Sequence, residues 1–349
     1  MSIVIITGSS GLVGSEAVNF FSKKGFDVIG IDNNLRKFFF GLDGSTSWIK
    51  KKIIKENINY SHFNTDIRNY ENLKKIFSKY KKNISLIIHG AAQPSHDYGK
   101  NYPIIDFDVN AKGTLNLLEL TKNYCPNAPF IFMSTNKVYG DNPNKLKIIE
   151  KAKRYELKKK DIYYKGINET LTIDNCTHSF FGVSKTYADL IVQEYGRNVG
   201  LKTVCFRAGC ITGPNHSGAK LHGFLSYLIK QCLSKKKYTI IGYKGKQVRD
   251  NLHSHDLINS FWEFYKKPKK GIVYNIGGGR FSNCSILEAI EEIESIKNIK
   301  IKRQIIKQNR VGDHIWYITD NKKFKKDYPN WKQKYDMKKI LKEIIKNNE

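Results

Sequence analysis

The first thirty-odd residues constrain the fold more than any other stretch. An all-apolar run, Ile3 to Thr7, enters Gly8-Ser9-Ser10-Gly11-Leu12-Val13-Gly14, and a helical pattern carrying Ala17, Val18, Phe20 and Phe21 follows until Gly25. A second apolar run from Asp27 to Ile31 closes on Asp32 and Asn33. Strand, glycine turn, helix, strand and acid make one βαβ unit, which commits this part of the chain to a parallel sheet. The glycines do different things. Gly8 permits the tight turn, Gly11 lets the backbone approach a pyrophosphate, and Gly14 lets the helix pack close to the strand. The helix start at Leu12 and Val13 offers N–H groups and a positive dipole end to phosphate. Asp32 can accept hydrogen bonds from ribose hydroxyls and would repel a 2′-phosphate, so NAD is favoured over NADP, a preference that nearby Arg36 weakens slightly.

Further along, 59–64, 85–89, 129–133 and 202–207 read as strands three to six, and 104–124 as one long helix. From Ala208 the character changes: a Gly/Pro loop at 209–218 is followed by shorter helices and strands. The expected class is α/β, a Rossmann doubly wound parallel sheet with a smaller C-terminal α/β lobe. Residues 1–207 are expected to bind the dinucleotide and 208–349 the substrate, with some segments of the second returning to the sheet. Residues 141–177 are polar, rich in Lys and Tyr and without clear period, and are expected to form a surface insertion over the active site.

The chain has 349 residues, 60 of them basic and 32 acidic, for a net charge of +28. The lysines are spread along the whole chain and do not form one block, which fits compositional drift better than a nucleic-acid surface. No nucleic-acid partner is expected. No apolar run is long enough to span a bilayer, so no membrane association is expected either. The opening Met1-Ser2-Ile3-Val4 is too short and uncharged for a secretory leader. The six cysteines (125, 176, 205, 210, 232 and 284) include no C-x-x-C pair, which points to no metal site, no disulfide framework and a reducing, cytoplasmic setting.

Several motifs together resemble the extended short-chain dehydrogenase/reductase superfamily, and within it the NAD-dependent sugar-nucleotide epimerases and dehydratases. They are the G-x-x-G-x-x-G spacing, His89-Gly90-Ala91-Ala92-Gln93, Asn110 with Thr114, Ser134-Thr135-Asn136-Lys137-Val138-Tyr139-Gly140, and Ser179-Phe180-Phe181-Gly182-Val183-Ser184-Lys185. The resemblance covers nearly the whole chain. It implies that Asp66 and Ile67 hold the adenine, that Ala91, Ala92, Gln93 and Asn110 lie beside the cofactor, and that Lys185 binds the nicotinamide ribose. It implies that Thr135 bonds the reacting sugar hydroxyl and that Arg249 and Arg310 grip the diphosphate of a nucleotide-sugar substrate. Asn136, Asn215 and Leu221, with His216 and His222, would line the sugar pocket, and a homodimer would form through helices near 104–124 and 182–198. A dehydratase would be expected to carry Thr-Asp-Glu at 135–137. Asn136 and Lys137 cannot do that proton work, so the resemblance favours an epimerase.

One position departs from the pattern. Phe181 stands four residues before Lys185, one helical turn away on the same face, where the superfamily carries its acid/base tyrosine. General acid–base help is worth on the order of 10²- to 10⁴-fold. Three readings follow: another group substitutes (Thr135 relaying to solvent, or His178), the protein binds NAD and a nucleotide sugar without turnover, or it acts at another sugar carbon.

Overall fold

The computed structural model describes residues 2–219, 223–309 and 312–349. Leu221, His222 and Arg310, three of the expected substrate residues, lie outside them.

The chain divides into two compact units. The first comprises residues 1–138, 180–207 and 258–274. It is built on strands β1 (Ile3–Thr7), β2 (Asp27–Ile31), β3 (Tyr60–Phe63), β4 (Ile84–His89) and β5 (Phe130–Thr135), joined at the edge by Thr203–Ala208 and Ile272–Ile276. The seven strands lie in the order Ile272–Ile276, Thr203–Ala208, β5, β4, β1, β2, β3, the doubly wound arrangement. β1 pairs in parallel with β2 from Ile3↔Asp27 to Thr7↔Ile31, and with β4 up to Thr7↔His89. These registers bring the ends of β1, β2 and β4 level with one another. Helices cover both faces, which is why the central strands read as unbroken apolar runs and not as alternating ones. Every residue of β1 is buried. The core includes Ile5, Ile29, Phe77, Ile87, Leu117, Leu118, Phe130 and Phe132.

The expected single helix over 104–124 is broken. A short helix Pro103–Phe107 gives way to a π-helical turn, Asp108–Lys112, before the helix Gly113–Tyr124. The wide turn carries the buried Asn110, whose side chain reaches Gln93 and Ser184 outside the helix, and single π turns recur where a functional side chain must be aimed. Two helices that the sequence reading left unassigned, Ser47–Glu56 and Tyr70–Tyr80, also belong to this unit.

The second unit comprises residues 139–179, 208–257 and 275–349. Its central strand Val248–His253 pairs antiparallel with Asn283–Ser285 and parallel with Trp316–Tyr317 and Cys210–Thr212. Tyr238–Ile241 and Arg303–Ile306 form a separate parallel pair. Leu228, Ile229, Ile240, Ile290, Ile293, Ile340 and Ile344 form its core. The segment 141–177, expected as a surface insertion without clear period, contains the hairpin Ile148–Glu150/Tyr155–Leu157. Ser285 closes a capping box with Glu288 at the start of helix Ile286–Lys297.

Candidate active site

The turn after β1 is built as its glycines require. Gly8 has φ +69°, and a Cβ there would sit 2.8–2.9 Å from the backbone of Gly90 and Ala91. A Cβ on Gly14 would collide with the Gly8 carbonyl oxygen, whereas one on Gly11 would meet only that oxygen, at 3.3 Å. The helix Leu12–Lys23 has Gly11 as its N-cap, with no side chain capping it and no acid in its first turn. Its N–H groups at Leu12, Val13 and beyond are thus available to an anion. The buried Ser10 hydroxyl, in the same turn, has no hydrogen-bond partner among the described residues.

Asp32 continues from β2. Its carboxylate accepts Ser10 N–H at 3.0 Å and Asn34 N–H at 2.7 Å. Beside it, Asn33 Nδ2 donates to Asp66 at 2.9 Å, and Arg68 holds both oxygens of Asp66 at 2.8–3.0 Å. Burial pushes the Asp66 carboxyl up, but the bonds from Arg68 and Asn33 outweigh it and leave the group below its ordinary value. Ile67 packs against Gly113, where a Cβ would lie 2.6 Å from its Cδ1.

The tip of β4 is locked by a polar chain. Thr7 Oγ1 lies 2.7 Å from His89 Nδ1, His89 Nε2 lies 2.9 Å from Thr114 Oγ1, and Thr114 donates to the Asn110 carbonyl at 2.6 Å. Burial, with the Lys185 charge second, pushes His89 well below its ordinary value, so it is a neutral structural imidazole. Ala91 N–H donates to Thr7 Oγ1 at 3.3 Å, and Ala92 follows at the same turn. Asn110 bonds Gln93 twice, accepting its N–H at 2.9 Å and donating to its carbonyl at 3.1 Å. It also donates to Ser184 Oγ at 3.0 Å, tying this loop to the helix Ser179–Arg197. Asp106 completes the knot, accepting Ser184 Oγ and Gln93 Nε2, each at 2.5 Å. Burial raises the Asp106 carboxyl above its ordinary value in spite of these bonds.

Lys185 is only 3% exposed. Its Nζ donates to the Met133 carbonyl at 2.7 Å and lies 4.1 Å from the Phe132 ring centroid, both on β5. Burial lowers its pKa to about 7, and Asp189 opposes that shift. Asp189, one turn further along the helix, is the anchor: it accepts two bonds from Arg207 at 2.8 and 3.1 Å, one from Gln193 at 2.7 Å, and one from Ser134. Thr135 ends β5, and its Oγ1 accepts Lys137 N–H at 3.2 Å. Asn136, buried, follows it. Phe181 is buried and lies edge-on to His96, with ring centroids 5.1 Å apart at 74°.

The first unit therefore brings together Gly8, Gly11, Gly14, Asp32, Asn33, Asp66, Ile67, Ala91, Gln93, Asn110, Thr135, Asn136, Phe181 and Lys185. In the second unit Asn215 is buried, and Arg249 donates to Asp313 at 2.9 Å. His178 has both ring nitrogens 3.6 Å from Cys176 Sγ. The sequence reading missed Asp106, Ser184, Asp189 and Arg207. The signal for two of them was spacing: Asp106 lies four residues before Asn110 and Asp189 four after Lys185, each on the face of a residue already singled out.

Residues 4–277 match the model of the NAD dependent epimerase/dehydratase family. The CDP-paratose 2-epimerase of Salmonella typhi is 32% identical over 327 residues, covering 92% of this chain and 91% of that protein. The UDP-glucuronate 4-epimerase of Thermodesulfobacterium geofontis is 26% identical, covering 99% and 95%. Among solved structures, a tyrosine-to-phenylalanine variant of Bacillus cereus UDP-glucuronic acid 4-epimerase, in complex with UDP-4-deoxy-4-fluoro-glucuronic acid and NAD, has a TM-score of 0.80 at 23% identity, covering 99% of this chain and 98% of that one. The chain belongs to the NAD dependent epimerase/dehydratase family. NAD is the cofactor of that family, and the turn fits it: the helix start carries no acid and no side-chain cap, and the buried Ser10 hydroxyl has no hydrogen-bond partner among the described residues.

Proposed function

We propose that the protein is an epimerase of a nucleotide-activated sugar, acting as a CDP-paratose 2-epimerase by transient oxidation of the C2 hydroxyl to a ketone and re-reduction from the other face. The observation that carries this reading is the buried Lys185, whose Nζ donates to the carbonyl of Met133, two residues before Thr135 on the same strand. That arrangement supports a ribose-binding lysine beside a sugar-orienting hydroxyl. The nucleotide and the carbon come from the Salmonella relative, which is 32% identical where the UDP-glucuronate 4-epimerase described above is 26%.

NAD supplies a hydride acceptor that returns what it takes, so no net redox occurs. The residues supply everything else. The glycine turn and Asp32 hold the dinucleotide, Asp66 and Ile67 the adenine, and Ala91, Ala92, Gln93 and Asn110 the wall beside it. Lys185 binds the nicotinamide ribose, and Thr135 orients the sugar hydroxyl. Arg249 exchanges Asp313 for the diphosphate, work that suits a guanidinium; Arg310, Leu221, Asn136 and Asn215 are assigned to the same substrate. Asn136 and Lys137 offer no acid for water elimination, which disfavours the dehydratases of the family.

A homodimer belongs to the proposal. Ile104, Phe107, Val183 and Leu190 are 76%, 48%, 57% and 44% exposed. The Phe107 and Tyr187 rings meet at 5.7 Å, so these residues belong to one apolar surface on the first unit. The competing reading, binding without turnover, is favoured by one observation: the side chain in the acid/base slot, Phe181, has no hydroxyl. Incubation with CDP-paratose separates the two. Formation of its C2 epimer supports the enzyme; tight binding with no epimer would establish the binding protein.

A further inference from the structure

Phe181 removes the phenol, but it does not leave its surroundings without a group able to move protons. The helix His96–Asn101, capped by the Ser95 hydroxyl, backs directly onto the first turn of the helix that carries Phe181 and Lys185. The approach is close: a Cβ on Gly99 would sit 3.2 Å from the Phe181 backbone nitrogen and 2.9 Å from Asp106 Oδ1. This places the first residue of that helix, His96, with its imidazole against the Phe181 ring at 5.1 Å between centroids. His96 is partly open to solvent, so it can exchange a proton with water between half-reactions. It shares this unit with Thr135 and Lys185. The helix is anchored by the same knot that holds the cofactor loop, since Ser95 bonds both the carbonyl and the amide ends of the Gln93 side chain, at 2.5 and 2.8 Å.

We propose that His96 is the general acid–base residue of the epimerisation, taking the role that the family's tyrosine fills from the Phe181 position. The inference rests on the epimerase reading above. In the first half-reaction the sugar O–H bond breaks and its electron pair forms the C=O bond. NAD, when bound, would take up the C–H hydride, and the proton would pass to the neutral imidazole of His96, giving the imidazolium. In the second half-reaction the carbonyl carbon regains the hydride on its other face, and the imidazolium returns its proton to the oxygen. The histidine ends neutral, as it began. The Phe181 ring supports the imidazole edge and keeps water from that side. Histidine is suited to both directions because its ordinary pKa lies near neutrality.

The test compares wild type, His96→Gln, Phe181→Tyr and the double variant, each purified with its bound NAD and given CDP-paratose. His96→Gln is expected to lower kcat at least tenfold, toward the ~10²–10⁴-fold range of lost acid–base catalysis. Phe181→Tyr in the His96→Gln background is expected to recover at least tenfold, because it restores the phenol. A histidine that merely positions the loop would show no such recovery. A second readout is independent of turnover: diethyl pyrocarbonate labelling of His96, located by mass spectrometry, is expected to be suppressed by CDP-paratose. A fall of less than tenfold in His96→Gln, failure of the double variant to recover, or labelling indifferent to CDP-paratose would each overturn the assignment. Wild type that forms no epimer at all defeats the epimerase reading and this inference together; active wild type with an unimpaired His96→Gln variant defeats only this inference.

Discussion

Replacing Asp189 with asparagine keeps its volume and removes its charge. The consequence can be worked out because the site is closed. The Asp189 side chain is 0% exposed and that of Arg207 7%, and they meet through two bonds of 2.8 and 3.1 Å. In the variant the guanidinium stays buried and loses the Asp189 counter-charge. Removing one partner of a buried pair costs about 3–5 kcal/mol. The asparagine oxygen still accepts from part of the cluster, so the lower end, about 3 kcal/mol, is expected. Urea denaturation of cofactor-free wild type and Asp189→Asn, followed by fluorescence, measures it. Asp189→Leu combined with Arg207→Met should recover most of the loss, because exchanging a whole buried pair for apolar side chains is often neutral. A loss below about 1 kcal/mol for Asp189→Asn, the range of an exposed pair, would refute the claim that this pair is closed to water. A double variant no better than the single one would show that the cost is not an orphaned charge.

Other perturbations have equally definite outcomes. Burial holds folded Lys185 near pKa 7, below the ordinary lysine value of about 10.4, so between these pH values the unfolded chain binds a proton that the folded chain does not. Stability of the cofactor-free protein should therefore gain from rising pH over that window, by up to about 1.4 kcal/mol per unit from this group; Lys185→Met should lose that component, and identical pH slopes in the two proteins would contradict it. Gly14→Ala forces a Cβ into the Gly8 carbonyl and should weaken NAD binding at least tenfold by calorimetry. Gly25→Ala, at φ +85° with nothing within 4 Å, should strain the chain without affecting NAD, and equal losses of affinity in the two would show that the turn has no special role. Val183→Glu with Leu190→Glu should convert a dimer to a monomer in light scattering, and an unchanged mass would remove that surface from the proposal.

The βαβ start and the parallel strands could be read from the sequence because strands buried on both faces leave long apolar runs, and because Gly8 and Gly14 have no sterically acceptable alternative. The π turn at Asp108–Lys112 could not. Asn110 adopts it to reach Gln93 and Ser184, 17 and 74 residues away, and helical periodicity carries no trace of such partners. Asp106 and Asp189 were missed for a related reason. In a chain with 60 basic residues, an acid on a helix reads as a surface charge, and only the tertiary fold removes it from water. The strand Arg303–Ile306 is exposed at every residue, so it shows no alternation to mark its bounds. His96 has no role in the sequence reading; its contact with Phe181 exists only because the helix His96–Asn101 folds back on the later one.

The most direct test of transient oxidation at the sugar carbon uses CDP-paratose labelled with deuterium at C2, incubated with the protein as purified in ordinary water. Hydride transfer and return predict a C2 epimer that keeps its deuterium at C2, and no solvent deuterium at that carbon in the converse experiment with unlabelled substrate in D₂O. Loss of the label to water, or incorporation of solvent deuterium at C2, would contradict it, because the hydrogen would then have moved as a proton.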